Sequence, residues 1–211
     1  MIIAVDGPVA AGKGTLARRI ASKYGLVYLD TGALYRAVGL LVLRRGQDPN
    51  DREAAREAAR TVSEISLEDP ELRKEETGNA ASVVAANQEV RGALLEYQRN
   101  VAKQRPGAVL DGRDIGTVVC PEAEVKLFVT ASAEIRAKRR FEELKAKGED
   151  VSLEDVLADL KERDTRDQGR SSAPLVQAED AHLLDTTKLD IEAALAAACR
   201  IIEGTFPPDH D

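Results

Sequence analysis

The stretch that decides the fold is Ile2-Ile3-Ala4-Val5-Asp6-Gly7-Pro8-Val9-Ala10-Ala11-Gly12-Lys13-Gly14-Thr15. Its apolar start reads as a buried strand, and the pattern over residues 12–24 reads as a helix. Between them lies a loop with glycines at both ends. Glycine lets successive backbone N–H groups curl around phosphate oxygens, and the helix N-terminus adds positive potential there. Lys13, placed directly after Gly12, reaches the β and γ phosphates of a nucleoside triphosphate. Gly7, Pro8, Val9, Ala10, Ala11, Gly12, Lys13, Gly14 and Thr15 are therefore the candidate donor-phosphate site. As a lysine at a loop mouth, Lys13 is expected to be exposed and to add little to stability. Gly14 stands where many such loops carry a magnesium-binding hydroxyl, which here comes one place later as Thr15.

Working outward, four more short apolar runs read as strands: Val27-Tyr28-Leu29-Asp30, Ala108-Val109-Leu110-Asp111, Val125-Lys126-Leu127-Phe128-Val129 and His182-Leu183-Leu184-Asp185. Helix-period segments separate them, including one ending near Gly46 and one with Ile191, Leu195, Cys199 and Ile202 on its stripe. Alternation of this kind predicts an α/β fold, a five-stranded parallel sheet covered by helices on both faces. Ligands of such sheets sit beyond the carboxyl ends of the strands, where Asp6, Asp30, Asp111 and Asp185 fall. Asp111 occupies the place of a carboxylate near Mg2+, through water, or else braces the turn that follows it.

Two stretches break the alternation. Residues 47–106 carry helix pattern and no strand, and Ser66-Leu67-Glu68-Asp69-Pro70-Glu71 is too polar and short to build one. Residues 132–170 read as two charged helices hinged at Lys147-Gly148-Glu149-Asp150. The second is capped by Ser152, with Leu153, Val156, Leu157 and Leu160 as its stripe. This predicts a core of residues 1–46, 107–131 and 171–211, an acceptor-binding helical insert of 47–106 and a lid of 132–170. The tail from Phe206 to the chain end, which includes His210, is expected to fray.

Composition narrows the function. Apolar residues make up 43% and charged residues 32%, a globular balance. A formal charge of −7 argues against a nucleic-acid partner, since phosphate-backbone contacts need a net basic face. Cys120 and Cys199 lack the spacing of a disulfide framework or a zinc site, and read as buried small hydrophobes. The apolar start stops at Asp6, short of a signal peptide, and the run over residues 37–43 falls well short of a membrane span. The expectation is a cytoplasmic protein, without membrane contact, and a monomer.

Three further motifs sharpen this: Leu29-Asp30-Thr31-Gly32-Ala33-Leu34-Tyr35-Arg36, Asp111-Gly112-Arg113-Asp114-Ile115-Gly116-Thr117-Val118-Val119, and Arg163-Asp164-Thr165-Arg166-Asp167-Gln168-Gly169-Arg170 followed by Ala173-Pro174-Leu175. With the phosphate loop and the Asp180-to-Thr186 strand region, they resemble bacterial cytidylate kinases, a family of nucleoside monophosphate kinases, from end to end. The resemblance implies that ATP with Mg2+ phosphorylates CMP and dCMP to CDP and dCDP. It places Thr31 and Arg36 at the acceptor monophosphate and Arg113 at the transferring phosphates. Asp114, Arg91 and Ser82 fall around cytosine and sugar, Arg163 at phosphate and sugar, Asp167 at the sugar, and Arg170 near the base. Lys13, Arg113 and Arg163 are the catalytic candidates.

The residues alone support the same class. Phosphoryl transfer is positioning plus neutralisation of charge, and a phosphate acceptor is already ionised, so no general base is required. His182, in a strand, reads as structural. Arg163, Asp167 and Arg170 at i, i+4 and i+7 share one helix face if the helix persists, although the spacing alone favours a surface ion pair. Arg91 is either a ligand or a solvated helix residue, and the cluster Arg136, Lys138, Arg139, Arg140 singles out no residue. Thr187-Lys188-Leu189-Asp190 matches a guanine-reading pattern, so a GTP-binding switch is the rival from another class. The switch motif D-x-x-G is absent, which counts against it. Within kinases the alternative is a different acceptor, UMP or AMP.

Overall fold

A computed structural model describes residues 1–205. The strands are β1 (Ile2–Asp6), β2 (Val27–Asp30), β3 (Ala108–Gly112), β4 (Val125–Thr130) and β5 (His182–Asp185). They form one sheet in the order β2-β3-β1-β4-β5, with every neighbouring pair parallel. The expected five-stranded parallel sheet is what forms. Each strand alternates its side chains between two covered faces. From β1, Ile3 and Val5 join a core with α1 (Lys13–Tyr24) and α8 (Ile191–Thr205), and Ala4 joins one with α5 (Gln88–Ala102). Register then brings chemistry together: Val5 lies beside Asp111, Asp6 beside Gly112, and Asp30 beside Asp111. These carboxylates share one edge because their strands are parallel and in step.

Between α2 (Thr31–Arg44) and β3 the chain builds α3 (Arg52–Arg60), α4 (Glu75–Val84) and α5, with short 3-10 turns at Val62–Glu64 and Pro70–Arg73. No strand occurs over residues 47–106, as the polar 66–71 stretch predicts. Asp51 and Asn87 start α3 and α5 by accepting the N–H groups left free at a helix N-terminus. Leu40, Val84, Val90 and Leu94 are fully or nearly fully buried where these helices meet α2.

The hinged pair is α6 (Ala133–Ala146) and α7 (Leu153–Gln168), joined through Gly148 at φ 81°. Ser152 Oγ accepts from Asp155 N at 3.0 Å, so the expected cap forms. Ala137, Leu144, Val156 and Leu160 bury one face of each helix in the other. Leu153, expected on that stripe, is instead exposed: at the first turn of α7 the cluster is met by Val151 and Val156 on either side of it. On α8 the buried line runs through Ala194, Ala198, Cys199 and Ile202, with Ile191 and Leu195 on its half-buried flank. Both cysteines are buried and free, as expected. Residues 206–211 lie outside the described residues, His210 among them. Among the described residues no helix is long and apolar enough to cross a membrane.

Candidate active site

Gly7 is dictated by crowding: a Cβ there would lie 2.0 Å from the Val129 carbonyl oxygen, so only glycine lets β1 leave the sheet beside β4. Gly12, at φ 85°, turns the chain into α1, whose N-terminus faces the cleft. Lys13 then departs from expectation. It is buried, 8% exposed, with Nζ 3.5 Å from the Pro8 carbonyl. Burial, and then the Arg113 guanidinium, pull its ammonium down to about 8, against the pull of Asp111, Asp30 and Asp167. The charged groups that act on it come from distant parts of the chain, which the local sequence does not reveal.

The loop opens into a cleft of 560 Å³ at the carboxyl edge of the sheet. Val9, Ala10, Gly12, Lys13, Gly14 and Thr15 line it, as do all the acceptor candidates: Thr31, Arg36, Ser82, Arg91, Arg113, Asp114, Arg163, Asp167 and Arg170. Asp111 does too. Gly7 and Pro8 lie behind the lining, and Ala11 faces a second cavity. Nine basic side chains against five acidic ones line this cleft, within a chain of net charge −7. The positive charge is local and aimed at an anion.

At the start of α2, Asp30 Oδ1 accepts from Ala33 N at 3.1 Å, and Oδ2 accepts from Arg36 Nη2 at 2.5 Å. Thr31 Oγ1 donates to the Asp111 carbonyl at 2.7 Å, joining the first turn of α2 to β3. Asp111 Oδ2 accepts from Tyr28 OH at 2.7 Å, and burial raises this carboxyl above the usual range while Lys13 opposes the rise. A buried carboxylate that lines the cleft beside a phosphate loop suits Mg2+, which keeps its waters and takes its other ligands from substrate phosphates. Gly14 packs against that same carboxylate, since a Cβ would lie 3.2 Å from Asp111 Oδ2.

Beyond β3 lie two buried ion-pair groups. Arg113 Nε donates to Asp167 Oδ2 at 2.8 Å, while Arg170 Nη2 donates to Oδ1. Burial alone would raise Asp167, but the Arg113 and Arg170 guanidiniums hold it below the ordinary carboxylate range. Arg91 Nη2 donates to Asp114 Oδ2, with both residues under a tenth exposed, and its guanidinium carbon lies 5.6 Å from the Tyr35 ring centre. Arg91 is thus no solvated helix residue, because the α5 face that carries it packs inward. Ser82 Oγ is buried without a hydrogen-bond partner and lines the same cleft.

The expected single face of Arg163, Asp167 and Arg170 does not form. α7 stops at Gln168, where Gly169 N donates to the Thr165 carbonyl, so Arg170 lies past the helix end. Arg163 turns away to α4: its Nη2 donates to Glu75, and Nε lies 3.0 Å from Asn79 Oδ1 and 2.9 Å from Asp159 Oδ2. All three side chains still reach the cleft, from two directions.

Tyr28, Asp30, Tyr35, Arg18, Arg139 and Arg140 also line it. Tyr28 lies in a strand run and Tyr35 in the stretch from Leu29 to Arg36, where a tyrosine reads equally well as core. Arg139 and Arg140 come from the basic cluster on α6. Arg139 Nη2 donates to the Thr186 carbonyl at 2.8 Å, and Arg140 pairs with Glu75 and Glu143. Arg136 is the buried member, bound to Asp164 at 2.7 Å. Neighbouring residues on a helix point about 100° apart, so only the packing of α6 tells them apart. Arg139 also borders the second cavity, 320 Å³, whose walls include Leu16, Leu189, Ile191 and Ala194. In the guanine-like stretch, Asp190 Oδ1 accepts from Ala193 N at 2.8 Å and so starts α8.

A glycine-edged loop with a buried lysine, facing a basic cleft at the carboxyl edge of a parallel sheet, belongs to phosphotransferases that act on nucleotides. The family model described as cytidylate kinase matches residues 3–204. A cytidylate kinase of Xanthobacter autotrophicus is 61% identical over 96% of this chain and 97% of its own length. Another, of Rhodospirillum rubrum, is 57% identical over 96% and 97%. A crystal structure of an uncharacterized protein from Eubacterium ventriosum shares the fold at TM-score 0.58 and 13% identity, covering 96% of this chain and 98% of that one. The chain belongs to the cytidylate kinase family. It is an ATP-using phosphotransferase on nucleotide substrates, and neither the GTP-binding switch nor another acceptor is favoured.

Proposed function

We propose that the cleft moves the γ-phosphoryl group of ATP onto the phosphate of CMP or dCMP. The observation that carries this reading is that the phosphate loop and the Arg113-Asp114 segment open into one basic cleft. The bond from the γ phosphorus to the β,γ-bridging oxygen breaks as one to an acceptor phosphate oxygen forms. That oxygen is already ionised, so no side chain need take a proton. Lys13, Arg113 and Arg163 neutralise the charge that spreads over the transferring oxygens. Thr31 and Arg36 hold the acceptor phosphate, and Asp167 the sugar. Ser82, Arg91, Asp114 and Arg170 surround the base.

Asp114 reads cytosine. Its Oδ2 is engaged by Arg91, and its Oδ1 accepts from the exocyclic amine, where uracil would present a carbonyl oxygen to a carboxylate. The 320 Å³ cavity takes the adenine of ATP between its apolar walls. Asp111 would hold Mg2+ through water, and the ion would supply shielding of the triphosphate charge. Residues 47–106 act as the acceptor-binding insert and 132–170 as the lid, on a core of 1–46, 107–131 and 171–211. The setting is the cytoplasm.

An assay of ADP release with ATP against CMP, dCMP, UMP and AMP tests the reading. CMP and dCMP should be used with at least about tenfold higher kcat/KM than UMP or AMP, as a base-edge contact provides. Equal rates on all four would overturn it.

A further inference from the structure

Asp6 lines no part of the cleft, yet it is the last residue of β1 before the phosphate loop and is 6% exposed. Both of its oxygens are engaged. Oδ1 accepts from Ile115 N at 2.8 Å and Oδ2 from Gly116 N at 2.7 Å. These are consecutive backbone donors, 109 and 110 residues away in sequence, and they directly follow Asp114. The segment they open is a single wide turn, Ile115–Val119, in which Val118 N and Val119 N both donate to the Asp114 carbonyl. Asp114 therefore sits on a short piece of backbone pinned on one side by its own turn and on the other by Asp6. Gly116 leaves little room: a Cβ would lie 3.1 Å from Lys126 Cδ and 3.4 Å from Asp6 Oδ2.

We propose that Asp6 is a positioning residue for acceptor-base choice, holding the backbone that aims Asp114 and its partner Arg91 at the base. The inference rests on the reading of Asp114 as the cytosine-reading group. A carboxylate is needed because two N–H groups converge on it, and an amide would meet one of them with its own donor. The groups facing Asp6 set its charge. Burial pushes the Asp6 carboxyl up to about 6, the two N–H groups oppose that, Asp114 adds to the rise and Lys13 counters it. The Lys126 stem packs over Gly116, while its Nζ is held by the Pro121 carbonyl and Asp180. On the acid side a proton on Asp6 replaces one acceptor with a donor, which releases one end of the clamp.

The test is the ratio of kcat/KM for CMP to that for UMP, measured from pH 5 to 8 for wild type, Asp6→Asn and Asp114→Asn. The two nucleotides carry the same phosphate, so its titration cancels in the ratio. Wild type should lose preference below about pH 6, since the clamp holds only when ionised. Asp6→Asn should lower the ratio about fivefold or more at pH 8 and remove the acid limb. Should Asp6→Asn fail to fold, Gly116→Ala presses on the same contact and should lower the ratio as well. A folded Asp6 or Gly116 variant that keeps the full ratio would overturn the proposal, provided Asp114→Asn loses it. A pH-independent wild-type ratio would overturn it too. If Asp114→Asn also keeps the full ratio, the base reading itself has failed, and the role of Asp6 falls with it.

Discussion

Lys13 should cost the fold stability while it serves the reaction. Its ammonium lies in a site only 8% exposed, and its pKa falls from the ordinary 10.5 to about 8, chiefly by burial. At about 1.36 kcal/mol per pH unit, keeping it charged at neutral pH costs on the order of 3 kcal/mol. Lys13→Met keeps the length of the stem and removes the charge. The variant should melt several degrees higher than wild type at pH 7, since about 1 kcal/mol moves the midpoint by about 2–4 °C in a chain of this size. The sign follows from linkage. Between about 8 and 10.5 the unfolded chain holds the proton that the folded one has released, so wild-type stability from this group rises with pH. The gap between variant and wild type should therefore be widest near pH 7 and shrink as pH rises above about 8. Turnover should drop below about a tenth of wild type, because a lost charge contact to the transferring phosphate is typically worth a few kcal/mol. Thermal melts at a series of pH values, beside the ADP-release assay, read both quantities. A variant that melts lower than wild type at pH 7, or a gap that does not change with pH, would refute the account of a charge held under penalty.

The same titration predicts that ATP affinity, measured calorimetrically without CMP, falls about tenfold from pH 7 to 9 as Lys13 loses its proton, and that Lys13→Arg flattens the slope. Asp114→Asn should lower the CMP-over-UMP ratio at least about tenfold and also lower the melting point, since it leaves the buried Arg91 without its charged partner. An unchanged melting point would mean that Arg91 finds another partner. ATP and CMP together should slow amide exchange over residues 148–172, because substrate phosphates bridge the lid and the core; no slowing under saturating ligand counts against lid closure. Gly39→Ala should destabilise by about 1–3 kcal/mol, as the new Cβ would lie 2.9 Å from Ala81 N where α2 crosses α4, and urea unfolding would show it.

The class is legible in short contiguous stretches of the chain. Apolar runs ending in aspartate, each followed by helix pattern, leave little choice but a parallel sheet, and a Gly-Lys-Gly-Thr loop after the first strand places phosphate at its carboxyl edge. Motifs of contiguous residues carry this information because backbone geometry within ten residues follows from local chemistry. That Thr31, Arg36, Arg113 and Asp114 meet in one cleft could be read from the same logic, since each follows a strand that ends at the same edge. What needed tertiary structure was the state of each charge. Lys13 is buried, and charged residues far off in the chain, Arg113, Asp111, Asp30 and Asp167, act on its ammonium. Arg163 keeps Asp159 on its own helix but turns from Asp167 and Arg170 to Glu75, which lies 88 positions away on α4. Arg91 pairs with Asp114 rather than with water, and Asp6 is turned into a clamp by two amides 109 and 110 residues along the chain. Helix spacing tells which side chains share a face, but which carboxylate faces them, and how much water is left between, depends on how distant elements pack.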